Sequence, residues 1–451
     1  MRPLRGQSVK NARRAKLTDR RYDMDALSIA KDIILYIQNL LGSKDFIDAH
    51  RYPGHFVRKR KLSILQVIIY LFYTTKQAMH LNVSNIVIDL PELAFPKVTK
   101  QAVSKARQGI LPSLFKELLD FSVEYYYKSI KTLRKWRKHY NIFAVDGSRI
   151  NLPNSKSNFE NYCKMFSMKN PNRQWTAALC STIYDVCNDI IVQGFIRPFL
   201  ASERQAALDH CKELEVLNLF TGSILIFDRG YFSDRMFRYF AEKGYLCVMR
   251  IKDSLNLAKQ CTGDSILTLP GDPKKGTADI TVRVIAVKLD SGETEYLATT
   301  LFDPAFTPDD FKELYFLRWP IESKYNELKN RFLIEEFSGA TSISIEQEFY
   351  INLLLANLAA MIKASADKEI KQTENPKNKY RYQANRSFII GKIKRLLPRI
   401  IASTTDIKSI DDVFELACIN KSQIQPGRKC PRNHRAKYRE RNHFNNRKTA
   451  V

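Results

Sequence analysis

Two aspartates directly follow short apolar runs that predict buried β-strands. Asp146 follows the run at 142–145, and Asp228 follows the run at 224–227. In an open α/β sheet, side chains at the carboxyl ends of strands leave the core and point into a ligand-binding crevice. One such aspartate is most often a turn or cap residue. Two of them, joined by a third carboxylate, would form an oxygen-rich site suited to Mg²⁺.

A helix predicted to begin after Thr307 supplies the third carboxylate. At about 100° per residue, four of its polar side chains fall within about 60° of one face: Tyr315, Arg318, Glu322 and Lys329. These residue types indicate that the face is not a core stripe, and the plain alternative is an exposed, ion-paired face. Trp319-Pro320 interrupts the pattern, so we expect the helix to kink or restart there.

The chain is strongly basic, and its positive charge is clustered. Its 73 Lys and Arg against 47 Asp and Glu give a net charge of +26. Residues 1–22 carry eight Lys or Arg, residues 425–451 carry nine, and further clusters lie at 58–61 and 128–138. One basic run is usually only a solvated face, but four clusters favour a polyanion partner. Nucleic acid is preferred over an anionic membrane because no basic amphipathic helix stands out.

Composition excludes several classes of protein. A hydrophobic content of 44% predicts a folded chain. The longest strongly apolar run that we identify, 62–73, is shorter than the roughly 20 residues of a membrane helix, and no signal sequence is seen. We therefore expect a soluble intracellular protein without a membrane partner. The eight cysteines form no Cys-x-x-Cys pair, and Cys430 with His434 lacks a second pair to complete a zinc site.

The elements that would position these residues change in type near residue 140. Helical spacing predicts helices at 25–41, 62–75 and 111–133, and a short basic helix at 98–107 that is either a recognition helix or a surface helix. Strands and helices then alternate to about 252. The segment 253–310 has ten Asp or Glu and five Lys or Arg, which favours a strand-rich, separately folded insertion. Helices are expected again through 366 and at 385–401.

The spacing Tyr315-x2-Arg318-x3-Glu322-x6-Lys329 resembles the Y-R-E-K signature of bacterial insertion-sequence transposases with a DDE triad, the insertion sequence four family. Further segments between about 140 and 360 resemble the family in the same order: Asp146-Gly147-Ser148 with Leu152-Pro153, Tyr184-Asp185-Val186 with Ser202-Glu203-Arg204, and Asp228-Arg229-Gly230-Tyr231. Several ordered segments are a specific signal, whereas any one alone would be weak.

The resemblance implies an α/β fold with an RNase H-like catalytic core. It implies that the catalytic residues, which are also the metal ligands, are Asp146, Asp228 and Glu322. They would hold two Mg²⁺ ions, for which Mn²⁺ can substitute, about 4 Å apart on either side of a phosphodiester. It also implies that Tyr315, Arg318 and Lys329 contact DNA phosphates. Trp319 is a candidate for stacking on a flipped base, with a core aromatic as the alternative.

We accordingly expect a basic N-terminal arm at 1–22 and a helical DNA-binding region at 23–140. The catalytic core would comprise 141–252 and 307–400, separated by the acidic insertion at 253–306 and followed by a C-terminal region with a basic tail at 401–451. The expected enzyme is a transposase that binds its terminal inverted repeats in double-stranded DNA, cuts there, and joins the ends to target DNA.

Family analogy adds a homodimer in the synaptic complex and a bacterial, cytoplasmic location on the nucleoid. Three alternatives remain open at this point. They are an RNase H-like nuclease without transposition, a transposase-derived DNA-binding protein without catalysis, and a basic structural protein of the nucleoid type. The last would not explain the ordered carboxylate motifs.

Overall fold

The computed structural model describes residues 24–58, 60–74, 77–166 and 174–425. These residues form a mixed α/β protein with one large central sheet. The expected basic arm at 1–22, the basic tail at 428–451, and the pair Cys430 and His434 lie outside the described residues.

The first part of the chain is helical, as expected. Before the sheet, the described residues form α1 (Ala26–Gly42), α2 (Lys44–Ala49), α3 (Ile64–Tyr73), α4 (Met79–Asp89), a 3₁₀ turn (Pro91–Leu93), α5 (Lys100–Arg107) and α6 (Ser113–Ser129). Side-chain caps fix several starts: Asp25 accepts a hydrogen bond from the Ser28 amide at α1, and Ser63 forms a capping box with Gln66 at α3. The sequence predicted α1, α3, α5 and α6 but missed α2 and α4.

A nine-stranded sheet follows in the described residues, with an additional strand pair near the C-terminus. The strands are β1 (Asn141–Leu152), β2 (Lys164–Phe166), β3 (Gln174–Asp185), β4 (Ile190–Pro198), β5 (Ser223–Phe227), β6 (Leu246–Ile251), β7 (Asp264–Leu269), β8 (Ile280–Lys288), β9 (Thr294–Thr299), and the pair β10 (Arg381–Ala384) and β11 (Lys421–Ile424). The order is β2-β3-β1-β5-β6-β9-β8-β7, and β4 also pairs with β3. Within the described part of this sheet, only the central pairs β1–β5 and β5–β6 are parallel.

The first strand is longer than expected. The sequence predicted that β1 ends at Asp146, but antiparallel pairing with β3 carries it on to Leu152, opposite Thr176. The parallel pairing of β1 with β5 does stop where predicted, at Val145 opposite Phe227. Asp146 therefore lies inside a strand, at the point where that strand loses one of its two neighbours.

The acidic segment is rich in strands, as predicted, but it is not a separately folded insertion. Its strand β9 pairs with β6 of the central sheet, with Val248 opposite Thr299. Strands β8 and β7 then continue the same sheet. Because Val282 and Val284 of β8 are fully buried in the main core, this segment shares its core with the rest of the protein.

The remaining helices of the described chain lie between and after these strands in the sequence. They are α7 (Lys156–Asn161), α8 (Glu203–Val216), α9 (Asp234–Lys243), α10 (Asn256–Gln260), α11 (Pro308–Phe316), α12 (Pro320–Asn330), α13 (Ser342–Gln372), α14 (Arg386–Ile401) and α15 (Ser409–Ile419), with a 3₁₀ turn at Pro273–Lys275. The predicted interruption is confirmed: α11 ends at Phe316, and α12 restarts with Pro320 at its first position.

The long helix α13 is the centre of the helical packing. Its length and composition would allow it to cross a membrane, but 83% of its apolar window is buried inside the protein. It packs against α1, α6, α14 and α15 and against strand β4. The sequence argument considered only the apolar run at 62–73 and missed this helix, which is a core helix of the folded chain.

A buried ion pair joins the N-terminal helices to α13. Arg107, at the end of α5, is fully buried and donates hydrogen bonds to Gln347 Oε1 at 3.0 Å and Glu348 Oε1 at 3.1 Å. It also contacts Ser338 Oγ at 2.9 Å and the Ser344 carbonyl at 3.2 Å. The side of α5 that carries Arg107 is therefore fixed against the protein.

We predict that Arg107→Met destabilises the protein by about 3–5 kcal/mol, because it removes a buried cation that is bonded to the buried Glu348 carboxylate. Urea unfolding followed by circular dichroism measures the change. Adding Glu348→Gln to Arg107→Met should recover part of the loss, since the uncompensated charge is then removed. Lys156→Met is the control, because the Lys156–Glu160 pair is 90% and 61% exposed. Equal effects of Arg107→Met and Lys156→Met would contradict this account.

Candidate active site

The register of the two central strands places Asp146 and Asp228 side by side. Val145 and Phe227 form the last pair of the parallel β1–β5 ladder, and each is followed by one of these aspartates. Neighbouring strands lie about 4.8 Å apart. The two carboxylates that the sequence predicted to meet at one sheet edge are therefore brought together there.

The Asp146 carboxyl group lies in an environment that disfavours its charge. Its pKa is raised from 3.8 to about 6, mainly by burial and to a smaller extent by the negative charges of Asp228 and Glu203. The Gly147 amide, which donates to Asp146 Oδ1 at 2.9 Å, and the Arg318 guanidinium act in the opposite direction. Cations near Asp146 will therefore compete with protons close to neutral pH.

Helix α12 is held across β1 by two polar side chains. The Tyr325 hydroxyl lies 2.8 Å from the Asp146 carbonyl oxygen and 3.2 Å from that of Cys180, and it accepts a hydrogen bond from Thr182. Lys329 Nζ donates to the Arg149 carbonyl oxygen at 2.7 Å. These contacts fix the helix that carries Glu322 beside the strand that carries Asp146.

Arg318 is the positive charge among these carboxylates. Its side chain is 5% exposed, and its Nη2 donates to Glu322 Oε1 at 2.9 Å. Its positive charge lowers the pKa of Asp146, and the negative charge of Asp228 raises the pKa of Arg318 in turn. The guanidinium carbon lies 4.7 Å from the centre of the Trp319 ring, and Nε has no hydrogen-bond partner within the described residues.

The expectation that the Y-R-E-K face is not part of the core is wrong for its first two members. Tyr315 is 5% exposed and belongs to the smaller hydrophobic cluster, with its hydroxyl 3.4 Å from Asp228 Oδ1. Arg318 is also buried. The turn at 317–319 separates α11 from α12, so one helical wheel does not describe both. Trp319 is 39% exposed, and its proposed stacking role stays a prediction.

The three residues of the predicted triad lie in the same region of the protein, but their carboxylates do not surround a common point. Among the described residues, no three His, Cys, Asp or Glu side chains are arranged to hold a metal ion. Glu322 instead contacts Arg318 through Oε1. The donor set, three carboxylates, has the hard oxygen chemistry that Mg²⁺ prefers. The metal assignment therefore rests on the chemistry of the donors and stays a prediction.

Two residues near Asp146 were quoted in the family segments but were not predicted as site residues. Glu203 is the first residue of α8, and a Cβ atom added at Gly147 would lie 3.2 Å from its Oε1. Tyr231 is buried, which raises the pKa of its hydroxyl, and the negative charges of Asp146, Glu203 and Asp228 raise that pKa further. Their only sequence signal was membership of the segments 202–204 and 228–231.

Residues 137–358 match the family model described as the transposase DDE domain. This segment is similar to a transposase DDE domain. The domain spans 222 of the 451 residues and contains all seven residues predicted for the site. The match covers just under half of the chain.

Among solved structures, the piggyBac transposase synaptic complex with hairpin DNA is similar, with 11% sequence identity and a TM-score of 0.45. The similarity covers 91% of this chain and 88% of that chain. With this TM-score, the structural similarity does not support any conclusion about the protein. Among curated proteins, none matches the sequence.

We predict that Asp146→Asn stabilises the protein, free of added metal, at pH 8. Since the pKa of Asp146 is about 6 when folded and 3.8 in its ordinary state, the buried charge costs at most about 3 kcal/mol. The cost is fully present above about pH 6 and disappears below the unfolded pKa, where both states are protonated. Urea unfolding in EDTA at pH 8 and pH 4 measures the gain in the free energy of unfolding.

The matched control for this measurement is Asp253→Asn, which changes an exposed turn residue. A gain for Asp146→Asn that is absent at pH 8, or equally large at pH 4, would show that burial of the Asp146 charge does not destabilise the fold.

Proposed function

We propose that the protein is a Mg²⁺-dependent transposase of the insertion sequence four family, which binds its terminal inverted repeats and catalyses strand cleavage and strand transfer. The observation that carries this proposal is the β1–β5 register, which sets Asp146 beside Asp228 inside the matched domain. Glu322 lies on the helix fixed across the same strand. This arrangement also supports an RNase H-like core.

The proposed metal ligands are Asp146, Asp228 and Glu322. Bound Mg²⁺ ions would activate a water or a 3′-hydroxyl and stabilise the leaving oxygen of the phosphodiester. Asp146 must lose its proton to take part, and its raised pKa places that step near neutral pH. Arg318 holds the Glu322 carboxylate through Oε1 and balances its charge, so Glu322 would bind a metal ion more strongly once this contact is released.

The proposed DNA contacts use the side chains that border these carboxylates. Arg318 and Lys329 supply positive charge for phosphate groups next to the cut bond. The Tyr315 hydroxyl bonds to Asp228, which would orient that carboxylate as DNA enters. Trp319 exposes part of its ring beside the Arg318 guanidinium, which suits stacking on a base.

A basic surface on the helical region, away from the carboxylates, supports binding of the transposon ends there. A cavity of about 850 Å³ lies against α5, and we call it the basic groove because of the cations that line it: Arg58, Arg60, Lys61 and Lys105. The opposite side of α5 is fixed, with Val103 and Arg107 buried. This geometry favours the recognition-helix alternative, in which the exposed side of α5 faces DNA.

We propose a homodimer as the active species, because two element ends must be cut together. A bacterial origin and a location on the nucleoid follow from the proposed family alone. A nuclease without transposition, or a DNA-binding derivative without catalysis, would share the basic groove or the carboxylates. Both are outcomes of the experiment below.

The central test incubates purified protein with DNA from both sides of its own gene, with Mg²⁺ or with EDTA. We expect metal-dependent cuts at defined flanking positions for the wild type. Asp146→Ala and Glu322→Gln should reduce cleavage by at least about 10²-fold, because each removes a proposed metal ligand. A gel-shift assay on the same DNA should show that both variants still bind the ends.

Glu336→Gln, which changes a carboxylate outside the proposed triad, is the matched control. Cuts at arbitrary positions would favour the plain nuclease, and end binding without cleavage would favour a non-catalytic derivative. Full cleavage by Asp146→Ala would reject the proposed mechanism.

The basic groove gives a separate prediction. Lys105→Ala should weaken end binding and lower the slope of log K against log salt concentration by about 1, the value for one phosphate contact. Lys371→Ala is the control, because this exposed residue lies about 35 Å along α13 from Glu348, the partner of α5. An unchanged salt slope for Lys105→Ala would remove the groove from the DNA-binding surface.

A further inference from the structure

A fourth carboxylate, that of Glu203, lies against the backbone beside Asp146. Glu203 begins α8, whose start is capped by Ser202, and the neighbouring Arg204 Nε donates to the Gly230 carbonyl oxygen at 3.0 Å. A Cβ atom added at Gly147 would come within 3.1 Å of Glu203 Cδ. A larger residue at 147 would require Glu203, or Leu179 with its Cδ1 also at 3.1 Å, to move aside, so the Glu203 carboxylate lies directly against this part of β1.

Glu203 has no neutralising partner among the residues that the structure describes. Over the ranges that the structure describes, it forms no ion pair and no side-chain hydrogen bond. Its charge acts on Asp146, which also experiences the charge of Asp228. Asp228 and Glu203 therefore disfavour the ionised form of Asp146, and the Arg318 guanidinium offsets this effect only in part, since the pKa of Asp146 stays raised.

A second, independent feature points to the same place. The Tyr231 side chain is 2% exposed, and its hydroxyl has no hydrogen-bond partner within the described part of the chain. The acidic groups that act on this hydroxyl are Asp146, Glu203 and Asp228. Buried hydroxyl groups almost always have a hydrogen-bond partner. A group bound among the three carboxylates would supply the partner that the Tyr231 hydroxyl lacks.

We infer that Glu203 is a divalent-cation ligand, acting with Asp146 and Asp228. This inference rests on the proposed metal-dependent function and extends its ligand set. Arg318 already balances the Glu322 charge in the protein without DNA, so Glu203 is the third carboxylate whose charge is open to a cation. As they stand, the described carboxylates are not arranged to hold a metal ion, so binding requires side-chain rotation, which the exposed position of Glu203 allows. Glu322 then joins the ligand set when DNA phosphates draw Arg318 away.

The test titrates full-length protein, without DNA, with Mn²⁺ and follows free Mn²⁺ by electron paramagnetic resonance. Glu203→Gln should raise the Mn²⁺ dissociation constant by about 10-fold or more, a typical result of disturbing a metal site. Glu322→Gln should raise it less in the absence of DNA. Circular dichroism checks that each variant is folded.

Glu242→Gln is the matched control. Glu242 is exposed near the end of α9, shortly before Leu246 pairs with Ile224 at the amino end of β5, which is the sheet edge opposite Asp228. The titration is repeated in 1 M salt, where the Debye length is about 3 Å and long-range charge effects are screened. The difference between Glu203→Gln and Glu242→Gln should persist there if Glu203 is a ligand.

Equal Mn²⁺ affinity of Glu203→Gln and Glu242→Gln, or a difference that vanishes in 1 M salt, would overturn the inference. If the wild type still makes metal-dependent cuts in that case, the proposed function stands and only the role of Glu203 is lost. A wild type that neither binds Mn²⁺ nor cuts DNA would reject both.

Discussion

The parallel pairing of β1 with β5 is the constraint on which the candidate site depends. Both strands are fully buried up to Val145 and Phe227, and the next residue of each is an aspartate. A shift of one residue would turn every side chain of a strand to the other face. The hydrophobic core therefore fixes the register, and the register in turn places Asp146 beside Asp228.

Concentrating carboxylates at this edge is unfavourable without positive charge, and the helix break at Trp319-Pro320 supplies it. The break turns Arg318 into the protein, where it bonds Glu322 and acts on both aspartates. Proline at the first position of α12 favours the restart, because that position needs no amide hydrogen bond. Trp319 and Pro320, which prevent the signature from forming a single helix, thus also bring Arg318 close to Asp146, Asp228 and Glu322.

The N-terminal helices and the segment that matches the transposase domain pack against each other through a shared buried interface. Arg107 of α5 and Glu348 of α13 are joined across a buried interface, and Glu348 lies within the matched domain whereas Arg107 precedes it. Buried ion pairs fix geometry more than they add stability. The proposed DNA-reading surface and the proposed cutting site are therefore held at a set distance and orientation.

The sequence by itself determined the elements with strong periodicity or caps, including α1 after Asp25 and the break before Pro320, and it determined the order of the carboxylates. Only the tertiary structure decided the extension of β1 to Leu152, the joining of the acidic segment to β6, and the burial of Tyr315. It alone placed Glu203 beside Gly147. The reason is physical: local periodicity and capping act over a few residues, whereas strand partners, burial and the meeting of charges depend on residues far apart in the chain.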